Sequence, residues 1–245
     1  MQRSLHILMP MAGEGSRFFR EGWTTPKPLI MLDGVPLFMR AVGSVAMPHS
    51  VPLKYSFVVR QEHIDQYHID EQIKAYLPSA HIFSVEHTTR GAVETCMMAA
   101  TAIDDDDAVL VMDCDLQFSS RTFTRDIMSI LAKSATQVDG GLLVSFTSDN
   151  PRYSYAEVDD NMIVKRTAEK KVISSHALCG AYFFSVGSRF KQVARQLLDE
   201  PDFAEKEFYV SLLYNYLLKN GETVRLCMLD DYRSYGTPEE LKQYM

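Results

Sequence analysis

The chain has 245 residues, of which 46% are hydrophobic and 23% are charged, so it has the composition of a folded domain and not of a disordered or fibrous chain. Its 25 Lys and Arg residues and 32 Asp and Glu residues give a net charge of −7. This balance argues against a surface that coats nucleic acid or anionic lipid. An anionic substrate would therefore need positive charge concentrated at one site.

The cysteines and the amino-terminal segment bear on the cellular compartment. Cys96, Cys114, Cys179 and Cys227 lie far apart, with no C-x-x-C pair and no histidine at zinc-ligand spacing, so we expect reduced thiols. The apolar segment 1–12 is interrupted by Pro10 and followed at once by charged residues, unlike a signal peptide. No apolar run approaches the ~18 residues of a membrane span. These features predict a cytoplasmic protein.

The first half of the chain alternates short apolar runs with helical patterns. Strands are predicted at 5–9, 57–60, 81–85 and 108–112, and helices at 35–46, 61–76 and 92–103. Strands that are apolar throughout and separated by helices indicate a parallel sheet covered on both faces. The order predicts an open, doubly wound α/β sheet, which binds its ligand at the carboxyl ends of the strands.

The second half of the chain is richer in strands. They are predicted at 140–146, 155–159, 162–166 and 177–184, with little helix between them. This pattern indicates antiparallel strands appended to the sheet. Helices at 188–198 and 206–218, a strand at 223–228 and a short helix from about Pro238 complete the sequence. No linker or internal repeat divides the chain.

A glycine-rich turn follows the first predicted strand. Gly13 and Gly15 allow backbone N–H groups to approach phosphate oxygens. The dinucleotide fingerprint would need a small residue where this chain has Phe18, and the Walker phosphate-binding pattern is absent. Further on, two prolines flank Lys27 and restrict the direction of its amine. Taken alone, each feature would also suit an ordinary surface loop.

Two carboxylates follow the fourth predicted strand. Asp113 and Asp115 are two residues apart, and such residues share one face of an extended segment, so both could approach one hard cation. Mg²⁺ accepts few protein carboxylates and takes its other ligands from water and substrate phosphates. One of the two could instead cap a turn or a helix. Their place at the ligand-binding edge of the sheet favours the metal.

Taken together, these motifs resemble the sugar-phosphate nucleotidyltransferases. The segments MAGEGSRF, TTPKPLIML, VMDCDLQF, TAEKKVIS and YGTPEEL occur in the order found in that family, and the similarity extends over nearly the whole chain. It is greatest to short members associated with bacterial capsule and surface-polysaccharide synthesis. The resemblance implies a Rossmann-like, doubly wound mixed sheet with appended antiparallel strands. It implies one nucleotidyltransferase domain over 1–245, with a nucleotide-binding half over about 1–135 and an acceptor-binding half over about 136–245.

The resemblance also implies a reaction and a set of site residues. An NTP would be joined to a sugar 1-phosphate or another phosphomonoester, and pyrophosphate would be released. Arg17 and Lys27 would be the catalytic cations, and Asp115 matches the family's first metal-binding aspartate, which would bind Mg²⁺. The D-x-D spacing adds Asp113 as its expected partner. The nucleotide would be bound by Ala12, Gly13, Gly15, Ser16, Glu86, Gly91 and Ala92. The acceptor would be bound by Tyr155, Glu169, Lys170 and Gly180. A homodimer is also expected by resemblance.

The turn after the third predicted strand is expected to recognise the nucleobase. Glu86 lies near the position at which a thymidylyltransferase has a glutamine. A carboxylate accepts a hydrogen bond from the exocyclic amine of cytosine but cannot donate to the carbonyls of thymine or uracil. This favours CTP, although a merely solvated Glu86 would fit the sequence equally well.

One position departs from the family pattern. The family commonly has a second metal-binding aspartate two residues before the glycine of G-T-P, and this chain has Ser234 there. Asp113, Asp230 or Asp231 could supply the missing charge, or Mg²⁺ could be held by Asp115 and substrate phosphates. The departure leaves open a non-catalytic nucleotide-binding regulator. A glycosyltransferase of related fold, which would use D-x-D without releasing pyrophosphate, is the other alternative.

Overall fold

A computed structural model describes residues 3–200, 203 and 205–245. The strands are β1 (Leu5–Met11), β2 (Met31–Leu32), β3 (Val35–Pro36), β4 (Leu53–Arg60), β5 (His81–Val85), β6 (Ala108–Met112), β7 (Leu116–Ser119), β8 (Gly141–Thr147), β9 (Tyr155–Val158), β10 (Val164–Ala168), β11 (His176–Phe184), β12 (Val224–Met228) and β13 (Asp231–Ser234). The helices are α1 (Ser16–Arg20), α2 (Leu37–Gly43), α3 (Gln61–Tyr67), α4 (Ile69–Tyr76), α5 (Ala92–Met97), α6 (Arg121–Leu131), α7 (Gly187–Leu198), α8 (Leu213–Lys219) and α9 (Pro238–Lys242).

The main sheet combines a parallel centre with an antiparallel extension. Strands β5, β4, β1 and β6 lie side by side and parallel, with Leu5 of β1 in register with Leu53 and Ala108. Strand β11 then pairs antiparallel with β6, and β8 and β9 pair antiparallel with β11. Strand β12 adds parallel to β8, and β10 adds antiparallel to β9. The predicted doubly wound sheet with appended antiparallel strands is confirmed.

Strand β6, at the centre of the sheet, is apolar and buried throughout because helices cover both faces of the sheet. Side chains alternate along β1, so Ile7 packs into one apolar layer with Phe38 of α2, and Leu8 packs into the opposite layer with Phe190 of α7. A third apolar cluster joins Phe18 of α1 to Leu241 of α9. This cluster packs α1 and α9 together.

Several predicted helices are shorter than their sequence patterns. The predicted helix 61–76 is divided into α3 and α4 at His68, whose φ of 51° is left-handed. The predicted helix 206–218 was wrong in its first half, because α8 begins only at Leu213. There the backbone N–H of Phe208 donates to the Arg90 carbonyl at 3.0 Å, and the Phe208 carbonyl accepts from Val93 N. These long-range bonds replace the helical ones.

Two elements that the sequence patterns did not predict lie next to the carboxylate motif. Strand β7 pairs antiparallel with β13, and the backbone N–H of Tyr235 then donates to the Asp115 carbonyl at 2.7 Å. Helix α6 follows β7 and is capped by Ser120, whose hydroxyl accepts from the Phe123 N–H. The segment YGTPEEL is thereby fixed beside Asp115. None of the helices in the described residues is long and apolar enough to span a bilayer.

Candidate active site

A cleft runs along the carboxyl ends of β1 and β6. Its narrower part is a cavity of about 400 Å³, which is lined by Pro10, Met11, Gly13, Gly15, Arg17, Lys27, Pro28, Asp113, Cys114, Asp115 and Glu207. Its wider part, of about 550 Å³, is lined mainly by residues from β9 to α9. Arg17, Lys27, Asp113 and Asp115 line both cavities, so the two adjoin at these four charged side chains.

The glycine-rich turn forms one wall of the narrower cavity. Gly15 has a left-handed φ of 64° and accepts, through its carbonyl, the first hydrogen bond of α1 from Phe18 N. No heavy atom lies within 4 Å of the point where a side chain on Gly13 would begin, so the turn is open on that side. Arg17 projects from α1, is exposed and has no side-chain hydrogen bond to the described residues. The turn therefore presents a cation to the cleft.

Lys27 crosses the junction between the two cavities. It begins a short 3-10 turn, Lys27–Leu29, directly after the buried Pro26. Its ammonium Nζ donates to Asp115 Oδ2 at 2.6 Å. Burial by itself lowers the pKa of Lys27, but the charge and hydrogen bond of Asp115, together with the charges of Cys114 and Asp113, outweigh that effect and raise the pKa above its usual value. Lys27 is therefore a permanent cation.

Asp113 shares the junction with Asp115. Its carboxylate opens onto the cleft but is crowded by protein, and this desolvation, together with the charge of Asp115, raises its pKa to about 7. The backbone N–H of Asp113 donates to the Gly180 carbonyl at 2.9 Å. Gly180 has a φ of +94°, and a Cβ there would lie 2.5 Å from Asp113 Oδ2. Gly180 therefore makes room for this carboxylate.

Glu169 and Lys170, the pair that the family resemblance assigns to the acceptor, both line the wider cavity. Glu169 Oε2 accepts hydrogen bonds from the hydroxyls of Ser211, at 2.8 Å, and Ser154. Burial raises the pKa of Glu169, and these two hydrogen bonds oppose the rise. Lys170 Nζ donates to the Tyr209 hydroxyl at 2.7 Å and lies 4.5 Å from the centre of that ring. The pair places one carboxylate and one cation in the cavity wall.

The segment around Ser234 lines the opposite wall. The Ser234 hydroxyl donates to Glu240 Oε2 at 3.0 Å, and the same carboxylate completes a capping box with Thr237 at the start of α9. The other Glu240 oxygen, Oε1, accepts from Arg152 Nη2. A Cβ on Gly236 would lie 3.4 Å from Asp115 Oδ2, so this segment packs directly on the carboxylate motif.

Of the three aspartates that could replace the family's second metal-binding aspartate, only Asp113 lines the cleft. Asp230 Oδ2 accepts a hydrogen bond from Arg121 N at 2.8 Å, and Asp231 lies 3.8 Å from the Arg233 guanidinium. Neither is among the residues that line the two cavities. Asp113, in contrast, lines both of them beside Asp115.

Two expected binding residues have structural roles instead. Tyr155 is fully buried and does not line the cleft, so the expected contact with the acceptor is wrong. Its hydroxyl donates to the Asn150 carbonyl at 2.8 Å. A Cβ on Gly91 would lie 2.4 Å from Phe208 N, so Gly91 is required by the packing of that segment. This packing accounts for a glycine at position 91 without a close contact between the nucleotide and the backbone.

Of the four remaining expected nucleotide contacts, one lines the cleft. Ala92 lines the wider cavity, whereas Ala12 is buried and accepts a 3.4 Å hydrogen bond from Arg60 through its carbonyl. Ser16 and Glu86 are exposed and lie outside both cavities. Arg152 and Glu240 also line the wider cavity, and the sequence motifs did not predict either residue. Their pairing spans 88 positions, which no local motif reveals, although the capping box T-x-x-E at 237–240 is readable.

The sheet and cleft define an α/β protein with cations and paired carboxylates at its ligand-binding edge. The sequence matches the family profile described as Nucleotidyl transferase over residues 7–241, so the chain belongs to the nucleotidyl transferase family. Among curated proteins, none matches the sequence significantly.

Solved structures with the same fold include three proteins of this type. The nucleoside-diphosphate-sugar pyrophosphorylase from Vibrio cholerae RC9 is 25% identical, with a TM-score of 0.82 over 97% of this chain and 98% of its own. A protein designated a glucose-1-phosphate thymidylyltransferase from Bacillus anthracis is 17% identical, with a TM-score of 0.76 over 98% and 94% of the two chains. The inositol-1-phosphate CTP transferase from T. maritima is 16% identical, with a TM-score of 0.73 over 100% and 94%. The chain is therefore a nucleotidyltransferase.

Proposed function

We propose that the enzyme joins an NTP to a sugar 1-phosphate or another phosphomonoester and releases pyrophosphate. The observation that carries this proposal is the junction of the two cavities, where Arg17 and Lys27 meet Asp113 and Asp115. The nucleophile is an oxygen of the acceptor phosphate, which is largely ionised at pH 7 because its second pKa is near ~6. No general base is required. The main barrier is the approach of two anions, which fixed cations lower by positioning and charge neutralisation.

The two cavities suggest how the substrates divide the cleft. Apart from Glu207, the narrower cavity is lined by residues numbered 10 to 115, which supports a nucleotide-binding half over about 1–135. The wider cavity draws most of its lining from residues 152 to 240, which supports an acceptor-binding half over about 136–245. In this assignment Gly13, Gly15 and Arg17 hold the triphosphate. Lys27 lies beside the α-phosphate, and Lys170 binds the acceptor phosphate.

A divalent cation fits the junction. Asp113 and Asp115 face one space there, and desolvation by the surrounding protein, followed by the charge of Asp115, raises the pKa of Asp113, so a cation between the two carboxylates would favour the charged form of Asp113. Among the described residues, no group of three or more His, Cys, Asp or Glu side chains is arranged to hold a metal ion. We propose that Asp115 and Asp113 hold Mg²⁺ together with water and substrate phosphates. The chemistry supplied by Mg²⁺ when bound is neutralisation of phosphate charge.

Glu86 supports CTP as the nucleotide. It is the first residue after β5, and its exposed carboxylate is free to accept a hydrogen bond from the exocyclic amine of cytosine. We further propose that the product serves capsule or surface-polysaccharide synthesis, on the basis of the sequence motifs. All four cysteines are free and buried, which suits a reducing cytoplasm, where we propose that the protein is located. We also propose a homodimer, on the basis of the family resemblance.

The proposal is tested by measuring pyrophosphate release across CTP, dTTP, UTP, GTP and ATP. Each nucleotide is combined with Mg²⁺ and a panel of sugar 1-phosphates and non-sugar phosphomonoesters. We expect release with CTP and one acceptor, and none when nucleotide, metal or acceptor is omitted. Binding of CTP without turnover on any acceptor would support a regulator. Consumption of a nucleotide-sugar without pyrophosphate release would support a glycosyltransferase.

A further inference from the structure

Arg152 is the cation of the wider cavity to which no sequence motif gives a role. It lies in the loop before β9, and its side chain is 34% exposed. One nitrogen, Nη2, donates to both Glu240 Oε1 and the Tyr153 hydroxyl. The other guanidinium nitrogens, Nε and Nη1, have no hydrogen-bond partner within the part of the chain that the structure describes. Three of the five N–H donors of this guanidinium are therefore free in the cleft.

The position of this guanidinium is set by a short chain of contacts that leads to Asp115. Glu240 holds Nη2 with one carboxylate oxygen and accepts from the Ser234 hydroxyl with the other. The following residue, Tyr235, donates its backbone N–H to the Asp115 carbonyl. The guanidinium carbon lies 4.5 Å from the centre of the Tyr153 ring, which limits its movement further. Arg152 is therefore fixed beside the segment that packs on the carboxylate motif.

The charges of the wider cavity explain why an acceptor phosphate would need this side chain. Four cations, Arg17, Lys27, Arg152 and Lys170, face four carboxylates, Asp113, Asp115, Glu169 and Glu240. These formal charges sum to zero, so the attraction for a doubly charged phosphate depends on which cations still have N–H groups available to contact it. Lys27 and Arg152 are each paired with a carboxylate, but only one nitrogen of Arg152 is engaged, which leaves Nε and Nη1 to contact a phosphate. A guanidinium also matches phosphate geometry with two parallel hydrogen bonds.

We propose that Arg152 binds the phosphate of the acceptor through its free N–H groups, while Glu240 holds the guanidinium in place. This inference rests on the proposed function, since it needs a phosphomonoester in the wider cavity. It deepens that function by naming a cation, beyond the Glu-Lys pair, that selects phosphorylated acceptors.

The test compares KM for the acceptor, KM for CTP and kcat in four variants. They are Arg152→Gln, Arg152→Lys, the double variant Arg152→Gln/Glu240→Gln and the control Arg166→Gln. Arg166 is an arginine of β10 that pairs with Glu157 at 2.7 Å outside the cleft. We expect Arg152→Gln to raise the acceptor KM about 10- to 100-fold, as for loss of a charged hydrogen bond. The CTP KM should change by less than ~2-fold, and Arg152→Lys should retain part of the affinity because it keeps the charge but loses the planar fork.

The double variant separates binding from a structural effect. Arg152→Gln alone leaves the Glu240 carboxylate without its partner, whereas the second change removes that charge and keeps a residue that serves the capping box. If Arg152 binds phosphate, the acceptor KM stays high in the double variant. If the loss arose only from unpaired Glu240, the double variant regains the wild-type KM, and the inference is overturned.

Inhibition by inorganic phosphate, which competes with the acceptor, tests whether Arg152 contacts the phosphate group of the acceptor. Its inhibition constant should rise in Arg152→Gln by about the same factor as the acceptor KM, and a constant equal to that of the wild type would overturn the assignment to phosphate. Failure of the proposed function is distinct, because the wild type would then release no pyrophosphate with any acceptor. An active wild type with an unchanged acceptor KM in Arg152→Gln refutes this inference alone.

Discussion

Replacing Lys27 by methionine removes one of the two cations at the junction of the cavities. The ammonium lies 2.6 Å from Asp115, so the change leaves Arg17 as the cation that faces the two carboxylates and the triphosphate there. Loss of one preorganised charge-stabilising group costs on the order of 10²–10³ in rate, equal to about 2.7–4 kcal/mol of transition-state stabilisation. We therefore expect kcat to fall by about that factor.

The fold should tolerate this substitution. The Lys27 and Asp115 side chains keep exposures of only 26% and 16%, so solvent screens the pair in part, and loss of its charged hydrogen bond should cost about 1.5–3 kcal/mol of stability. For a chain of this length, such a loss lowers Tm by about 3–12 °C. The activity loss should thus occur in a protein that is still folded at the assay temperature.

A matched control is available outside the cleft. Lys54 Nζ also lies 2.6 Å from a carboxylate, that of Asp104, but neither residue lines the two cavities. Pyrophosphate release and thermal unfolding are measured for Lys27→Met, Lys54→Met and the wild type. Lys54→Met should keep wild-type kcat. A kcat for Lys27→Met within about threefold of the wild type would refute the role of Lys27.

Three further predictions concern the acceptor, the glycine at the carboxylates and the buried histidine. Lys170→Gln should raise the acceptor KM about 10- to 100-fold, through loss of a charged hydrogen bond, and leave the CTP KM unchanged; equal acceptor KM values in steady-state assays would contradict its role. Gly180→Ala should lower Tm and activity because its Cβ would lie 2.5 Å from Asp113 Oδ2, whereas Gly221→Ala, with a similar φ of +83° and no atom within 4 Å, should keep activity; equal activity losses would show that the contact with Asp113 does not matter. His6 is fully buried, its Nε2 lies 2.8 Å from Ser56 Oγ, and burial lowers its pKa to about 4. Because this pKa is below the unfolded value near 6.5, the unfolded state binds the proton more readily, and the free energy of unfolding should fall by about 3 kcal/mol as the pH falls from about 6.5 to 4. Urea unfolding of the wild type and of His6→Gln measures this fall. An identical pH dependence in the two proteins would show that His6 does not cause it.

The parallel half of the fold could be predicted because its strands obey a local rule. Each of these strands contains a short run rich in apolar residues, which is continuous in β6, and β5 and β6 begin and end at the predicted residues. The paired aspartates could be placed at the sheet edge for the same reason, since ligands of such sheets lie at the carboxyl ends of strands. The position of Glu169 and Lys170 in the cleft depended on the family resemblance.

Features that depend on distant parts of the chain could not be predicted. Strand β7 exists because β13, more than 100 positions later, pairs with it. Phe208 leaves the helical pattern because Arg90 and Val93 take its backbone hydrogen bonds. Gly91 suggested a nucleotide contact, but the structure requires it for packing against Phe208. Local propensity is a weak guide where such tertiary bonds compete with it.

The central claim is that an oxygen of the acceptor phosphate attacks the α-phosphorus of the nucleotide in this cleft. The most direct test labels the acceptor phosphate with ¹⁸O at its non-bridging oxygens and follows the products of the reaction with CTP by mass spectrometry. We expect all of the ¹⁸O to be retained in the nucleotide-linked product and the released pyrophosphate to be unlabelled. Label in the pyrophosphate, or release of CMP carrying an oxygen from water, would contradict it.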